Sequence, residues 1–255
     1  MNAITKTLLY QVPIFAFLAV ILNSCEKNDE IIINQTNGKT TSVFNSDLSY
    51  GTMTDQDGNI YKTIHINGQT WMAENLRTTK YRNGDAIPQV VDSTIWASLI
   101  TGAVCTYENT ENIDTIASYG RLYNWYAVSD SRNLAPIGWH VATNTEWRNL
   151  IGLLSDAGND SLAGAKLKEI GNFHWYGPNE LHATNESGMT ILPSGVRDPS
   201  TGKFVGMGYL GIFWSSTQAD DFYAWRINIY SSTYNQYYRL PGHYDSGFAI
   251  RCVKD

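Results

Sequence analysis

Closely spaced turn residues between short apolar segments restrict the fold of this 255-residue chain more than any other feature. In TDQDGNIYKTIHINGQTWMAENL, residues 54–76, polar and apolar residues alternate around the pairs Asp57-Gly58 and Asn67-Gly68. Such pairs favour the positive φ angles of two-residue hairpin turns, and a period of two is typical of half-buried strands. The segment therefore predicts a hairpin or meander with two tight turns.

Residues 143–154 have the periodicity of an amphipathic helix instead. Their apolar side chains recur at spacings of three and four and form one stripe: Trp147, Leu150, Ile151 and Leu154. A second helix is predicted over 161–170, with Gly171 as its left-handed cap. Five short strands are predicted after it, over 189–192, 213–216, 223–230, 237–240 and 247–253. Strands, two helices and further strands in this order indicate the α+β class, with the helices packed on short antiparallel strands.

The segment APIGWHVATNTEW, residues 135–147, has two interpretations. His140 and Glu146 suggest a base or metal ligand with an acidic partner. However, Thr143 lies three residues before Glu146 and directly before the apolar stripe, which is the pattern of a capping box. His140 also has no second histidine at metal-ligand spacing. We therefore predict that Thr143 and Glu146 close the start of a helix, and that His140 is structural.

The first 25 residues form a separate unit. The mostly apolar stretch 8–22 has the length of a signal-peptide core and is shorter than a membrane span. It ends in Leu22-Asn23-Ser24-Cys25, which resembles the lipoprotein box of bacteria, although a plain secretory signal with an incidental cysteine is the alternative. We expect a signal peptide over 1–24, lipidation of Cys25, a polar tether over 25–49 and one domain over 50–255.

Charge and cysteine content set further limits. The net charge of −6 and the pI near 5.3 argue against a nucleic-acid partner, because no basic run is available to neutralise phosphates. The acidic run at 26–30 resembles the surface-export signal of lipoproteins in the Bacteroides group, although a solvated tether has the same composition.

Cys105 and Cys252 are a disulfide candidate outside the cytoplasm, and two separately buried thiols are the alternative.

No catalytic motif is present in the sequence. There is no Gly-x-Ser-x-Gly elbow, His-Glu-x-x-His helix, phosphate loop or Cys-x-x-Cys pair, and no ligand set that predicts a metal or another cofactor. Aromatic, amide and acidic side chains instead concentrate in residues 214–244, where they suit stacking on sugars and reading of hydroxyl groups. The ligand-binding candidates in this region are Tyr234, Tyr237, Tyr238, Arg226, Asn228 and Asn235.

Several segments together resemble the Fibrobacter succinogenes major paralogous domain. They occur in order from Thr54 to Asp255: TDQDGNIYKTIHINGQTWMAENLRTTKYRNGDAIP, YGRLYNWYAVSDSRNLAPIGWHVATNTEW, GAKLKEIG, ATNESGMTILPSGVRD, FWSSTQADDFYAW and GFAIRCVKD. Many members carry cysteine where this chain has Ala135, whereas Cys105 and Cys252 match positions often occupied by cysteine. The helix pair and closing strands of this family are similar to those of C-type-lectin-like domains, so the resemblance implies a single domain of that kind. It implies no activity, because no catalytic residues are established for the family.

These observations predict a non-catalytic binding or adhesion module in a lipoprotein of the outer membrane, exposed at the cell surface. Its partners would be the membrane, through the lipid anchor, and a glycan or protein ligand. The alternative is a structural cell-envelope protein without a small-molecule ligand. An enzyme is the least favoured class.

Overall fold

The computed structural model describes residues 38–155, 163–177, 183–231 and 237–255, with only the backbone described at 237–239. The predicted signal peptide, Cys25, Tyr234 and Asn235 lie outside these residues, as do the side chains of Tyr237 and Tyr238. No helix in the described ranges is both long and apolar enough to cross a membrane.

Short strands make up most of the regular structure. The strands are β1 (Gly51–Thr54), β2 (Ile60–Ile66), β3 (Gln69–Met72), β4 (Val104–Cys105), β5 (Leu122–Tyr123), β6 (Trp139–Val141), β7 (Ser194–Arg197), β8 (Phe204–Met207), β9 (Leu210–Gln218), β10 (Tyr223–Tyr230), β11 (Tyr237–His243) and β12 (Cys252–Lys254). The α-helices are α1 (Ser93–Trp96), α2 (Ile113–Tyr119), α3 (Trp125–Val128), α4 (Asn144–Leu154) and α5 (Ala163–Leu167), and a 3-10 turn covers Tyr107–Asn109. Helices combined with mainly antiparallel sheets confirm the α+β class.

The strands form two larger sheets and a small pair. The first sheet has the order β1-β2-β3-β12-β6 and is antiparallel throughout, and β4 pairs with β5. The second has the order β11-β10-β9-β7-β8, in which β7 and β9 are parallel. The chain reverses from β7 into β8 and again into β9, so β9 runs in the direction of β7 and joins its free edge. Among the named strands, β7 and β9 are the one pair for which the expectation of antiparallel strands is wrong.

The two predicted turns are confirmed in the first sheet. Ile66 pairs with Gln69, which leaves Asn67 and Gly68 as a two-residue loop. Their φ angles are 44° and 85°, both positive as the hairpin turn requires. The Asp57-Gly58 turn joins β1 to β2.

Helix α4 is confirmed with its predicted cap and stripe. All four predicted apolar residues of α4 are buried, and the Trp147 ring lies 5.0 Å from that of Trp71 in β3 and 5.6 Å from Phe213 in β9. The helix therefore packs against apolar residues of both larger sheets, and these residues form one core cluster.

The second predicted helix is shorter than expected. Helix α5 ends at Leu167, and Lys168 then forms a parallel bridge with Ile191. Because Leu167 and Glu169 exchange backbone hydrogen bonds with Ile191, the chain leaves the helix early. For the same reason the predicted strand over 189–192 is reduced to a single bridge. Gly171 does adopt a positive φ of 84°, but four residues after the helix.

The prediction of only two helices is wrong, because α1, α2 and α3 are also present. Each begins at a side-chain cap: Asp92 accepts from the amide of Ile95, Asn112 from Thr115 and Asn124 from Ala127. These helices are too short to produce an apolar period, so the cap is the only signal of them in the sequence.

The closing strands differ from prediction mainly in length. Strand β10 has its predicted bounds, whereas β9 and β11 are longer than predicted and β12 is shorter. Residues 247–249 make isolated bridges instead. The buried Arg251 donates to Asn75 Oδ1 at 2.7 Å and to the carbonyls of Met72 and Met189, each at 2.9 Å. Burial lowers the pKa of Arg251 to about 9, and the charge of Glu74 partly opposes this. Arg251 thus ties three distant segments together.

Candidate functional site

His140 lies between two carboxylates. Its Nε2 is 2.8 Å from Glu146 Oε1, and its Nδ1 is 2.7 Å from Asp255 Oδ1. Burial opposes the charged form of the ring, but the hydrogen bonds to Asp255 and Glu146 outweigh it and raise the pKa of His140. Both ring nitrogens are therefore occupied, and neither is available as a base or a metal ligand without breaking an ion pair.

The other oxygen of Glu146 completes the capping box. Glu146 Oε2 accepts from the amide of Thr143 at 2.7 Å, and Thr143 Oγ1 accepts from the amide of Glu146 at 3.1 Å. This confirms the structural interpretation of Thr143 and Glu146. Strand β6 places His140, and β12 places Asp255, beside the start of α4. The cluster therefore fastens a helix to the edge of the first sheet.

Cys105 and Cys252 are both free and buried. They belong to different core clusters, Cys105 with Trp96 and Cys252 with Trp139, so the candidate disulfide is not formed. Burial raises the pKa of the Cys105 thiol to about 12 and also raises that of Cys252. The structure therefore has two separately buried thiols, which was the alternative to a disulfide.

A cleft with a volume of about 630 Å³ lies between the turn after β7 and the ends of β10 and β11. Its size falls in the range of small-molecule sites, which is about 300–1,000 Å³. Strand β10 contributes Tyr223 and Arg226 to the lining, and β11 contributes Pro241, Gly242 and His243. The cleft therefore takes part of its lining from the region 214–244 that the sequence indicates for binding, and the rest from residues before and after that region.

Gly242 makes room for the Arg226 side chain on the floor of the cleft. A Cβ atom at Gly242 would lie 2.9 Å from Arg226 Cδ and 2.8 Å from Phe248 Cε2, closer than real Cβ contacts. The guanidinium carbon of Arg226 lies 5.0 Å from the centroid of the Phe248 ring. Glycine at this position thus allows the arginine to lie against the aromatic core.

A bulge also helps to place Arg226. Ala224 pairs with Gln218 in β9, but Arg226 pairs with Trp214, so β9 contains extra residues between these points. In this bulge Ser216 Oγ donates to the carbonyl of Val141, which links the second sheet to β6. Bulges re-aim neighbouring side chains and are common beside functional sites.

The charge of Arg226 has no acidic partner among the described residues. Its Nε is buried without a hydrogen bond, and neither terminal nitrogen makes one within the described ranges. Burial lowers the pKa of Arg226, opposed only by the charge of Tyr230. The guanidinium is thus a desolvated cation that lines an open cleft.

The other charged groups of the cleft already have partners. Arg197 donates to the carbonyls of Gly202, Val90 and Val91. Asp198 Oδ1 accepts from the amide and hydroxyl groups of Ser200 and Thr201 in the turn after β7. Arg197 and Oδ1 of Asp198 therefore hold the wall of the cleft, whereas Oδ2 of Asp198 accepts no hydrogen bond from the described residues.

Tyr223 and His243 form one rim of the cleft. The Tyr223 side chain is 39% exposed, and its ring meets that of His243 edge to face, with the centroids 5.4 Å apart. His243 Nδ1 lies 3.4 Å from Asp245 Oδ2. Burial raises the pKa of Asp245, and the charge of His243 partly opposes this. The rim therefore offers an exposed aromatic ring beside a polar pair.

The sequence candidates divide between this cleft and other places. Arg226 lines it, but Asn228 is buried, with 1% of its surface exposed, and donates to the Tyr230 hydroxyl at 2.9 Å. Because β10 is an inner strand between β11 and β9, this buried position leaves Asn228 almost no surface for a ligand. The backbones of Tyr237 and Tyr238 pair with Ile229 and Asn228.

Several cleft residues were not predicted from the sequence. His243 ends β11 and Asp245 lies in the turn directly after it, whereas Ser200 lies in the turn after β7, so no sequence spacing connects Ser200 with the other two. The turn Asp198-Pro199-Ser200-Thr201-Gly202 does have a recognisable composition, but it predicts only the turn.

The comparisons with known proteins identify the family. The model of the Fibrobacter succinogenes major domain matches residues 64–254, which are most of the chain. No curated protein and no solved structure matches it. The chain therefore belongs to the Fibrobacter succinogenes major domain family, as its sequence segments indicate.

Proposed function

We propose that this family member is a non-catalytic binding or adhesion module of a surface lipoprotein, and that the cleft around Arg226 and Tyr223 is its ligand site. The observation that carries the proposal is an open cleft of about 630 Å³ that contains a cation without an acidic partner among the described residues and an exposed tyrosine ring. Such a combination of one aromatic surface and a few polar groups is typical of small-ligand sites.

The proposed fold is C-type-lectin-like. Helix α4 packs on β9 and β10, and β12 closes the first sheet between β3 and β6. A helix packed on a sheet, together with a last strand that returns to the sheet formed by the first strands, is in keeping with that fold. The ligand site proposed here rests on the cleft and not on this fold, because fold alone does not confer sugar binding.

The proposed location is the outer face of the outer membrane. Its support is in the sequence: the short apolar segment before Cys25, the resemblance to a lipoprotein box, and the acidic run directly after it. The polar residues 26–49 would then separate the domain from the membrane.

A structural cell-envelope protein is the second candidate. The observation that favours it is the large aromatic core, in which the following side chains are fully buried: Trp71, Trp96, Trp147, Trp175 and Trp214. Aromatic residues used for packing contribute stability without providing a ligand site.

A glycan array probed with purified residues 26–255 distinguishes the two candidates. A binding module should retain a defined set of glycans, and Tyr223→Ala should reduce that signal while leaving the melting temperature almost unchanged. The matched control is Tyr209→Ala, since Tyr209 is also exposed but contacts Tyr176 away from the cleft.

Loss of the glycan signal in Tyr223→Ala alone supports the cleft as the ligand site. Equal signals in both variants would refute the cleft as the ligand site, and no retained glycan at all with the wild type would favour the structural protein. A second variant, with Tyr234, Tyr237 and Tyr238 all replaced by Ala, tests the sequence-based part of the binding region. Unfolding of that variant would assign those tyrosines to the core.

A further inference from the structure

We propose that the cleft binds a singly charged, carboxylate-bearing saccharide, with Arg226 as the partner of the carboxylate and Tyr223 as the surface for the sugar ring. This inference rests on the proposed binding function and specifies its ligand. It depends on three features of the described residues: an unpaired cation, the charge balance of the lining and the position of an exposed ring.

The unpaired cation indicates an anionic ligand. A partly buried charge is unfavourable unless it is paired or hydrogen-bonded, and Arg226 has neither kind of partner among the described residues. Since Nε is buried, the terminal nitrogens are left for a ligand. A guanidinium can donate two parallel hydrogen bonds to a carboxylate, which is why arginine is favoured for such recognition.

The charge balance of the lining favours a single negative charge. The cleft contains two arginines and two aspartates, Arg197, Arg226, Asp198 and Asp245, together with His243. With the histidine counted as neutral, the charges of these side chains sum to zero. A ligand with several phosphate or sulfate groups would therefore be repelled by two carboxylates and would find no surplus of positive charge. One carboxylate placed at Arg226 satisfies the free cation and adds little repulsion.

The exposed ring of Tyr223 favours a sugar as the rest of the ligand. An aromatic face packs against the apolar C–H face of a pyranose, and its edge contact with His243 fixes its orientation. The carboxylate of Asp245 and the hydroxyl of Ser200 lie in the same lining and can pair with sugar hydroxyl groups. A volume of about 630 Å³ accommodates one or two sugar residues.

The arginine is preorganised for this role. The absence of a side chain at Gly242 and the ring of Phe248 hold the stem of Arg226 against the floor. Less side-chain freedom is then lost when the ligand binds, which favours affinity.

The test is calorimetric titration of purified residues 26–255 with the monosaccharides galacturonate and glucuronate, each of which carries one carboxylate, compared with their methyl esters, with the matching neutral sugars and with acetate. We expect the uronates to bind and the esters and neutral sugars to bind at least about tenfold more weakly, since a charge-assisted pair is lost. Arg226→Met should abolish the preference for the uronate over its ester, and Arg226→Lys should retain part of it.

The matched control is Arg148→Met, which removes the same charge from the exposed surface of α4. It should leave uronate binding unchanged. Arg226→Met should also keep or raise the melting temperature, because methionine can pack on Phe248 without a desolvated charge. A melting curve therefore separates lost binding from lost folding.

The remaining outcomes overturn the inference in distinguishable ways. Equal binding of uronates and neutral sugars, unaffected by Arg226→Met, refutes the acidic ligand but leaves the binding function intact. Acetate that binds as tightly as the uronates refutes the saccharide. Failure of every uronate, with other glycans retained on the array, refutes this inference alone, whereas an array without any retained glycan refutes the binding function as well.

Discussion

Glu146 folds back on Thr143, so that Oε2 of Glu146 accepts from the Thr143 amide at 2.7 Å while Thr143 Oγ1 accepts from the Glu146 amide at 3.1 Å. Two amides that the helix cannot satisfy internally are thus paired within four residues. The same carboxylate reaches His140 through its other oxygen. A residue pair that resembles an acid–base site therefore serves to start helix α4.

The Thr143→Ala variant should lose stability without loss of any binding. Removal of the cap should lower the free energy of unfolding by about 0.5–2 kcal/mol, because the Glu146 amide loses its acceptor. Urea denaturation measures this, with Thr145→Ala, an exposed position in the same first turn, as the control. Equal stability of both variants would contradict the role of the cap.

The ion pairs of His140 should make stability depend on pH. The pKa of His140 is raised in the folded protein above its ordinary value of 6.5. The stabilisation is therefore fully present below pH 6.5 and is lost as the pH rises through the folded pKa. We expect the melting temperature of the wild type relative to His140→Gln to fall across this window. His65→Gln, which replaces an exposed histidine, is the control. A difference that stays constant from pH 5 to 9 would refute this role.

The buried thiols should be unreactive until the domain unfolds. Purified residues 26–255 contain Cys105 and Cys252, and burial raises the pKa of both, which suppresses the reactive thiolate. A thiol reagent should label neither cysteine in the native protein and both in guanidinium without reductant. If labelling in guanidinium requires prior reduction, the two cysteines are bridged after all.

Gly242→Ala should destabilise the domain and displace Arg226. Its new Cβ would lie within 2.9 Å of Trp214 Cζ3 and Arg226 Cδ, and such overpacking costs about 1–3 kcal/mol. The control is Gly152→Ala in α4, where no atom lies within 4 Å of the added Cβ. Since alanine favours helix, this change should stabilise by about 0.5–1 kcal/mol. Urea denaturation of both variants should therefore give opposite signs.

Lipidation of Cys25 is tested in cells. Cys25→Ala should release the protein from the membrane fraction, and globomycin should cause the unprocessed precursor to accumulate. Full retention of Cys25→Ala in membranes would exclude the lipid as the anchor. Surface exposure requires, in addition, that protease added to intact cells digests the wild-type protein.

Local chemistry made part of this fold predictable from the sequence. The Asn67-Gly68 turn, the stripe of α4 and the Thr143 cap each depend on residues within about four positions of one another. The helices α1, α2 and α3 were predictable in principle from their capping residues, but four to seven residues are too few to show a period. The early end of α5 was not predictable, because the competing partner, Ile191, lies far along the chain.

The sequence by itself determined the α+β class, the family, the turns and the capped helix, because propensity, periodicity and side-chain capping act over short distances. It also indicated region 214–244 for binding and included Arg226 there. Only the tertiary structure decided that Asn228 is buried, that Cys105 and Cys252 lie in separate clusters, and that Arg226 shares a cleft with His243 and the turn after β7. These outcomes depend on strand order and on which face each strand buries, and long-range pairing of residues far apart in the chain sets both.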